Sequence, residues 1–298
     1  MRDIFKKDFH QCFPVSSIQF LFITNSPELA SYAVGSGVDR IFLDLEILGK
    51  QARQGHLDTL ISRHSAADLA VLRDVVPPGR LLVRVNPVHE GTEAEIDRVI
   101  RDGADIVMLP MFHGPTEVER FCQAVAGRAR TCLLVETVGA MCTLAECLRI
   151  PGVDEVHIGL NDLHLQLGLR FMFEPLADGL VDRMVQVLRK VSMPFGIGGI
   201  ARVGEGMLPA EMLLGEHARL GSTSAILSRT FHRQARTVDE IRAQMDFPAE
   251  VAKLRLAHAS FATASPAELE VNHHEVARRV RAIAATLPPR RHGGFANA

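Results

Sequence analysis

Short apolar runs recur along the chain, separated by stretches of mixed polarity long enough for helices. The runs are "IQFLFI" at 18–23, "DRIFLDLE" at 39–46, "RLLVRVN" at 80–86 and "ADIVMLP" at 104–110. They continue with "TCLLVET" at 131–137, "EVHIGL" at 155–160, "PFGIGGI" at 194–200 and "RLGSTSAIL" at 219–227. Nearly continuous apolar character, rather than strict alternation, marks strands buried on both faces, as in a parallel sheet covered by helices. The intervals "SPELASYAVGSG", "SAADLAVLRDVV", "GTEAEIDRVIRDG" and "GPTEVERFCQAVAG" place acids in their first turns and often close on glycine, as helix termini favour. Eight strand–helix units predict an α/β fold, a (β/α)8 TIM barrel occupying residues 1–231. The interval between the sixth and seventh runs is longer. It holds "LRFMFEPLADG", a candidate insertion at the barrel rim, before a helix at about 176–191.

Beyond residue 231 the pattern changes. "TVDEIRAQM", "PAEVAKLRLAHAS" and "SPAELEVNHHEVARRVRAIAA" predict additional C-terminal helices, an extension over 232–286 that covers the barrel or a neighbouring subunit. The ending, 287–298, is polar and rich in Pro and Gly, and reads as a flexible tail.

Composition narrows the function. With 47% apolar and 23% charged residues and a formal charge of −2 over 298 residues, the chain can bury a large core, and it lacks the basic excess of an obligate nucleic-acid surface. No apolar run reaches bilayer length, and "MRDIFKKDFHQCF" lacks the apolar centre of a secretory leader. A cytoplasmic protein without a membrane partner is expected. Cys12, Cys122, Cys132, Cys142 and Cys147 show no C-x-x-C spacing and read as reduced packing thiols.

The candidate chemistry lies at predicted strand ends. In "LLVETVGAMCTLAECLRIPGVDEVHIGLNDL" (133–163), Glu136 and Asp162 fall at the carboxyl ends of the fifth and sixth strands, the edge where barrel active sites assemble. Two neighbouring carboxylates suit an oxygen-coordinated divalent cation; equally, one is a helix cap and the other a salt-bridge partner. Arg84 closes the third strand, where it can bind a carboxylate or keto oxygen and stabilise enolate charge, or pair with an acid such as Glu46. Gly198 and Gly199 in "GIGGIAR" offer either an anion or acyl pocket or close backbone packing, and the amides near Asn161 and Asp162 offer a carboxylate site.

The segment "VETVGAMCTLAECLRIPGVDEVHIGLNDLHLQLG" resembles the metal-dependent aldolases of the HpcH/HpaI family and their citrate-lyase beta-subunit relatives, a resemblance that covers most of 18–230. It implies that Glu136 and Asp162 ligate Mg²⁺ or Mn²⁺, that Arg84 is the catalytic arginine beside the metal, and that Asn161 and Asp162 contact the substrate. Asp44 and Glu46, in "DLE", then support a metal-bound water or Arg84. "DLE" with "KQAR" at 50–53 is similar to the citrate-lyase branch, whereas "LPM" at 109–111 resembles the pyruvate-aldolase branch. One departure stands out. Where the pyruvate aldolases place a proton-transferring histidine directly after the strand-two glutamate, this chain has Ile47. His56 and His64 are the catalytic candidates in its place, with a metal-bound water as the alternative; both histidines also read as surface residues, and His113, His157 and His164 read as packing, capping or contact residues.

The resemblance implies a metal-dependent carbon–carbon lyase or aldolase, acting on a 2-oxo acid through an enolate, with an aldehyde as co-substrate and a homo-oligomeric assembly. Two alternatives stand beside it: a lyase acting on a CoA thioester, and a noncatalytic metabolite-binding or assembly protein.

Overall fold

The computed structural model describes residues 18–49 and 64–288. Eight parallel strands close into a barrel in strict chain order, with the eighth pairing the first. They are β1 (Gln19–Ile23), β2 (Arg40–Asp44), β3 (Leu81–Arg84), β4 (Ile106–Leu109), β5 (Arg130–Val135), β6 (Glu155–Ile158), β7 (Phe195–Ile200) and β8 (Ser224–Leu227). The helices on the outside are α1 (Pro27–Gly35), α2 (Ala66–Arg73), α3 (Thr92–Arg101), α4 (Pro115–Val125), α5 (Val138–Cys142), α6 (Leu144–Cys147), α7 (Leu160–Gln166), α8 (Glu174–Ala177), α9 (Leu180–Lys190) and α10 (Ala210–Leu220).

The apolar runs have the cause expected of them. Leu21, Phe42, Leu82, Ile106, Met108, Cys132 and Leu134 point inward and fill the barrel. Their neighbours, among them Phe20, Ile41, Leu43, Leu81, Val83, Val107, Leu133 and Val135, point outward into the layer beneath the helices. Both faces of each strand are therefore removed from water. At the amino end the barrel is closed by charge: buried Arg40 holds Glu155 through two contacts, at 2.6 and 3.2 Å, and Arg130 adds a third at 2.7 Å.

Three predicted elements move. The eighth strand starts at Ser224 because residues 219 and 220 finish α10, which Gly221 then caps in the left-handed region (φ 71°). The sixth ends at Ile158, since Gly159 turns the chain directly into α7; Asp162 therefore sits in the first turn of a helix and not on the strand. The helix expected at about 176–191 is two, α8 and α9, divided at Gly179 (φ 70°).

The C-terminal segments form α11 (Val238–Gln244), α12 (Phe247–Ala262) and α13 (Pro266–Thr286). Helices α12 and α13 both pack on α10, and α13 also reaches α8. Phe247 meets Phe22 of β1 edge-on, with ring centroids 5.7 Å apart, and Arg255 pairs with Asp39 at 2.7 Å while donating to the carbonyl of Ile18. Glu216 of α10, which is buried, accepts from Arg219 and lies 2.9 Å from Nδ1 of His273 on α13. The extension is thus tied to the barrel by apolar packing and by ion pairs. Cys122, Cys132 and Cys147 are free and buried, Cys142 is free and exposed, and Cys12 lies outside the described residues. Burial pushes the Cys122 thiol up to about 11, in keeping with a packing role. Among the described residues no helix is long and apolar enough to cross a membrane.

Candidate active site at the carboxyl rim of the barrel

Strand alternation brings the first two candidate side chains together. Asp44 and Arg84 are paired positions on β2 and β3, and both follow inward-facing residues, Phe42 and Leu82, by two. Arg84 grips Asp44 with both arms of its fork, Nε to Oδ1 at 2.9 Å and Nη2 to Oδ2 at 2.8 Å. Glu46 lies 3.4 Å from Nη2, and the Phe42 ring lies beneath the guanidinium at 5.5 Å. Burial disfavours the charge on Arg84, but the pull of Asp44 and Glu46, with a smaller contribution from Glu136, outweighs it and leaves the group more basic than an ordinary arginine. Arg84 is a permanently charged, oriented cation.

Glu136 follows the last residue of β5 and is buried. Three local features fix it. Thr137 caps α5 by accepting from the Ala140 amide at 2.9 Å, while its hydroxyl donates to the Phe112 carbonyl at 2.5 Å. Met111, just past β4, adopts a left-handed backbone (φ 53°), and its N–H donates to Glu136 Oε1 at 3.2 Å. For a non-glycine residue that conformation costs about 1–2 kcal/mol, which the surrounding contacts must offset. Third, Gly159 passes so close to Glu136 that a Cβ there would meet the Glu136 Cβ at 2.8 Å and Oε2 at 3.0 Å. The missing side chain keeps room beside the carboxylate.

Asp162 is buried in the first turn of α7, which follows β6, the barrel neighbour of the strand that carries Glu136. The two segments are joined by the Gln166 side chain, which accepts from the Val138 amide at 2.9 Å. Neighbouring Asn161 is partly exposed. His164 is buried and its Nδ1 contacts the carbonyls of Leu160 and Asn161, so it braces its own helix.

Of the histidine candidates, His64 reaches the site: its Nδ1 accepts from the backbone N–H of Asp44 at 3.1 Å. His56 and the "KQAR" segment lie outside the described residues. Ile47 is 62% exposed, with its amide held by Asn86 Oδ1 at 2.9 Å, so it adds no proton carrier. His157 is inside the barrel, where its Nε2 contacts the Gly198 carbonyl at 3.1 Å and burial pushes it down to about 4. His113 is exposed. Gly198 and Gly199 fall in an irregularity of the β7–β8 pairing; a Cβ at Gly198 would press on Leu160 at 3.2 Å, and the adjoining void is about 10 Å³, room for one water. These contacts give both glycines a packing role.

One rim residue was not singled out from sequence. Arg229, two residues past β8, is partly buried and within electrostatic reach of Asp44 and Arg84. Burial and the Arg84 charge lower its basicity, against the opposing pull of Asp44. Its one sequence signal is its place directly after an apolar run.

The rim thus gathers four carboxylates, Asp44, Glu46, Glu136 and Asp162, and two guanidiniums, Arg84 and Arg229. The two negative charges left over match one divalent cation. Among the described residues no group of three or more His, Cys, Asp or Glu is arranged as a metal site. A pair of carboxylates beside space kept open by Gly159 fits instead a hard cation that retains water or substrate oxygens in its shell.

A parallel barrel with acids and an oriented arginine at its carboxyl rim defines a class in which anionic small molecules are handled at the strand ends. The family comparison is specific: the chain belongs to the HpcH/HpaI aldolase/citrate lyase family, whose model matches residues 19–172. No curated protein sequence matches it. Among solved structures it is similar to protein CitE from Mycobacterium tuberculosis in complex with magnesium and pyruvate, at 16% identity and a TM-score of 0.59, covering 89% of this chain and 99% of that one. It is also similar to an HpcH/HpaI aldolase from Desulfitobacterium hafniense DCB-2, at 15% identity and a TM-score of 0.56, covering 72% of this chain and 86% of that one. A third, an HpcH/HpaI aldolase/citrate lyase family protein from Burkholderia cenocepacia J2315, gives 16% identity and a TM-score of 0.56, covering 76% and 95%. At these identities the structures speak for the shared fold.

Proposed function

We propose that the protein is a divalent-metal-dependent carbon–carbon lyase or aldolase that acts on a small 2-oxo acid through an enolate. The observation that carries this reading is the half-buried Arg84, held by Asp44 and Glu46 at the carboxyl rim with Glu136 in its field. Glu136 and Asp162 would hold Mg²⁺ or Mn²⁺, the ion present with pyruvate in the CitE structure being magnesium. When bound, the cation supplies a Lewis acid for the keto oxygen.

The chain's own residues supply the rest. Arg84 stabilises the negative charge that develops on the substrate oxygen as the carbon–carbon bond breaks, and its fork is already oriented, so little reorganisation opposes the reaction. Asp44 and Glu46 orient Arg84. Arg229 and the Asn161 side chain would meet the substrate carboxylate. His64 has a defined protonation pattern: because its Nδ1 accepts from the Asp44 amide, neutral His64 carries its proton on Nε2. Its Nε2–H is therefore a hydrogen-bond donor, able to stabilise negative charge on a substrate oxygen. A water beside Glu46 would carry the proton from the substrate hydroxyl to the enolate carbon.

The test is metal-dependent deuterium exchange into the pyruvate methyl group, followed by NMR, with acetyl-CoA as the parallel probe. Exchange that needs the metal and is lost in Glu136→Ala, Asp162→Ala and Arg84→Ala supports the reading. A folded protein that binds neither Mg²⁺ nor Mn²⁺ would refute it, and exchange into acetyl-CoA alone would move the assignment to thioester chemistry.

A further inference from the structure

The chain leaves β2 under the control of a side chain. A backbone rung between β2 and β3 runs from the Leu45 amide to the Arg84 carbonyl at 2.9 Å. The next amide of that orientation is Ile47's, which a parallel ladder would give to a backbone carbonyl of β3. It goes instead to the Asn86 side chain, whose Oδ1 accepts from both Ile47 and Leu48 at 2.9 Å. Successive amides of an extended strand point to opposite sides, so one oxygen can serve both only where the chain turns. Asn86 thereby fixes the turn that follows Glu46.

The Asn86 amide has one orientation open to it. Glu95 Oε1 accepts from its Nδ2 at 2.7 Å and from its backbone N–H at 3.2 Å. A carboxylate offers acceptors alone, so Nδ2 faces Glu95 and Oδ1 faces the exit of β2. Glu95 is held in turn by His89. The His89 Nδ1 accepts from the Gly91 amide at 3.0 Å, which leaves a proton on Nε2, 3.0 Å from Glu95 Oε2. A Cβ at Gly91 would meet the His89 ring at 2.9 Å, so glycine leaves room for it. The His89 N–H donates to Thr92 Oγ1 at 2.8 Å, at the start of α3. The loop from Asn86 to Glu95 thus delivers one oriented carbonyl oxygen to the end of β2.

Glu46 is the side chain so placed. Its N–H donates to Asp44 Oδ1 at 3.3 Å, the same oxygen that accepts from Arg84 Nε at 2.9 Å. Its own carboxylate lies 3.4 Å from Arg84 Nη2. Glu46 is therefore flanked by Leu45, held by the Arg84 carbonyl, and by Ile47, held by Asn86. Misplacing a group at a reacting centre by about 1 Å costs about 10²-fold in rate.

We infer that Asn86 is a positioning residue: by holding the Ile47 and Leu48 amides it sets the approach of Glu46 to Arg84, with Glu95 and His89 fixing its orientation. Its effect on rate rests on the reading of this rim as the reaction site; its effect on Arg84 does not.

Asn86→Ala in the full-length protein removes the acceptor without touching Arg84. Both bonds lie at the surface, where water can replace them, so the thermal midpoint should fall by only about 2–4 °C. Amide hydrogen exchange at Ile47 and Leu48 should quicken about tenfold or more, and the Arg84 Nε–H resonance should shift as Glu46 moves. Metal-dependent deuterium exchange into pyruvate should slow about 10²-fold. In a Glu46→Gln background the same substitution should add less than about threefold, because the two residues act as one unit. Asn86→Ser gives the same readings if the alanine variant does not fold. An unmoved Arg84 resonance, unchanged exchange at Ile47 and Leu48, or an equal rate loss in both backgrounds overturns the inference. A parent protein without pyruvate exchange would sink the proposed reaction instead, and the Arg84 resonance would still decide the role of Asn86.

Discussion

Replacing Asp44 with Asn tests whether Arg84 is an oriented catalytic cation or a residue of general structural use. The substitution keeps size and one acceptor but removes the charge, and it places an NH₂ opposite Nη2, where Oδ2 now accepts at 2.8 Å. Removing one partner of a buried ion pair typically costs about 3–5 kcal/mol. Here Glu46 remains 3.4 Å away and the Arg84 side chain keeps 15% of its exposure, so the low end, about 3 kcal/mol, is expected. Activity should suffer more than stability implies, because a displaced guanidinium no longer meets the developing charge; a loss of about 10²–10³ in exchange rate is the usual scale for one oriented donor. Arg84→Lys should fall similarly, since an ammonium cannot reproduce the two-armed grip. Urea unfolding of Asp44→Asn, Arg84→Met and the double variant gives the coupling energy, and pyruvate deuterium exchange gives the rate. Coupling below about 0.5 kcal/mol, with exchange within threefold of the parent in both single variants, would refute the reasoning.

Gly159→Ala should lower Mn²⁺ affinity by tenfold or more in calorimetric titration without unfolding the protein, because the new Cβ would press on Glu136 at 2.8 Å; unchanged affinity would remove Gly159 from the site. The stability of the whole protein should fall as pH drops from about 6.5 toward 4, because His157 is pushed from 6.5 to about 4 in the folded state and the unfolded chain binds the proton first. At full titration this histidine contributes roughly 3 kcal/mol, so His157→Gln should flatten that part of the stability–pH curve, and a slope identical to the parent's would count against it. Arg40→Met should lower stability by about 3 kcal/mol in thermal or urea unfolding, since it leaves Glu155 inside the barrel with Arg130 alone; a neutral effect would mean that the carboxylate finds water.

The barrel was legible in the sequence because a parallel strand buried on both faces has to be apolar at nearly every position, and such runs stand apart from the amphipathic helices between them. The same logic located Glu136: a carboxylate directly after "LLV" falls where the strand emerges from the core. The resemblance to the family rested on such local strings, and the family match bears it out. Asp162 was found by the same reading but placed on the wrong element, because the turn at Gly159 is set by its approach to Glu136, a contact between segments 23 residues apart in sequence.

What the sequence by itself determined is the order of the elements, the closed barrel and the acids at its rim, all consequences of local periodicity and of where apolar runs stop. What only the tertiary structure decided is which charges meet: that Arg84 takes Asp44 with both arms, that His64 turns Nδ1 to the Asp44 amide, that Met111 bends to serve Glu136, and that Arg229 approaches from β8. The physical reason is range. Periodicity records the burial of each residue by its own element, whereas the pairing of side chains from different strands and helices is fixed by barrel closure and by the register between neighbours.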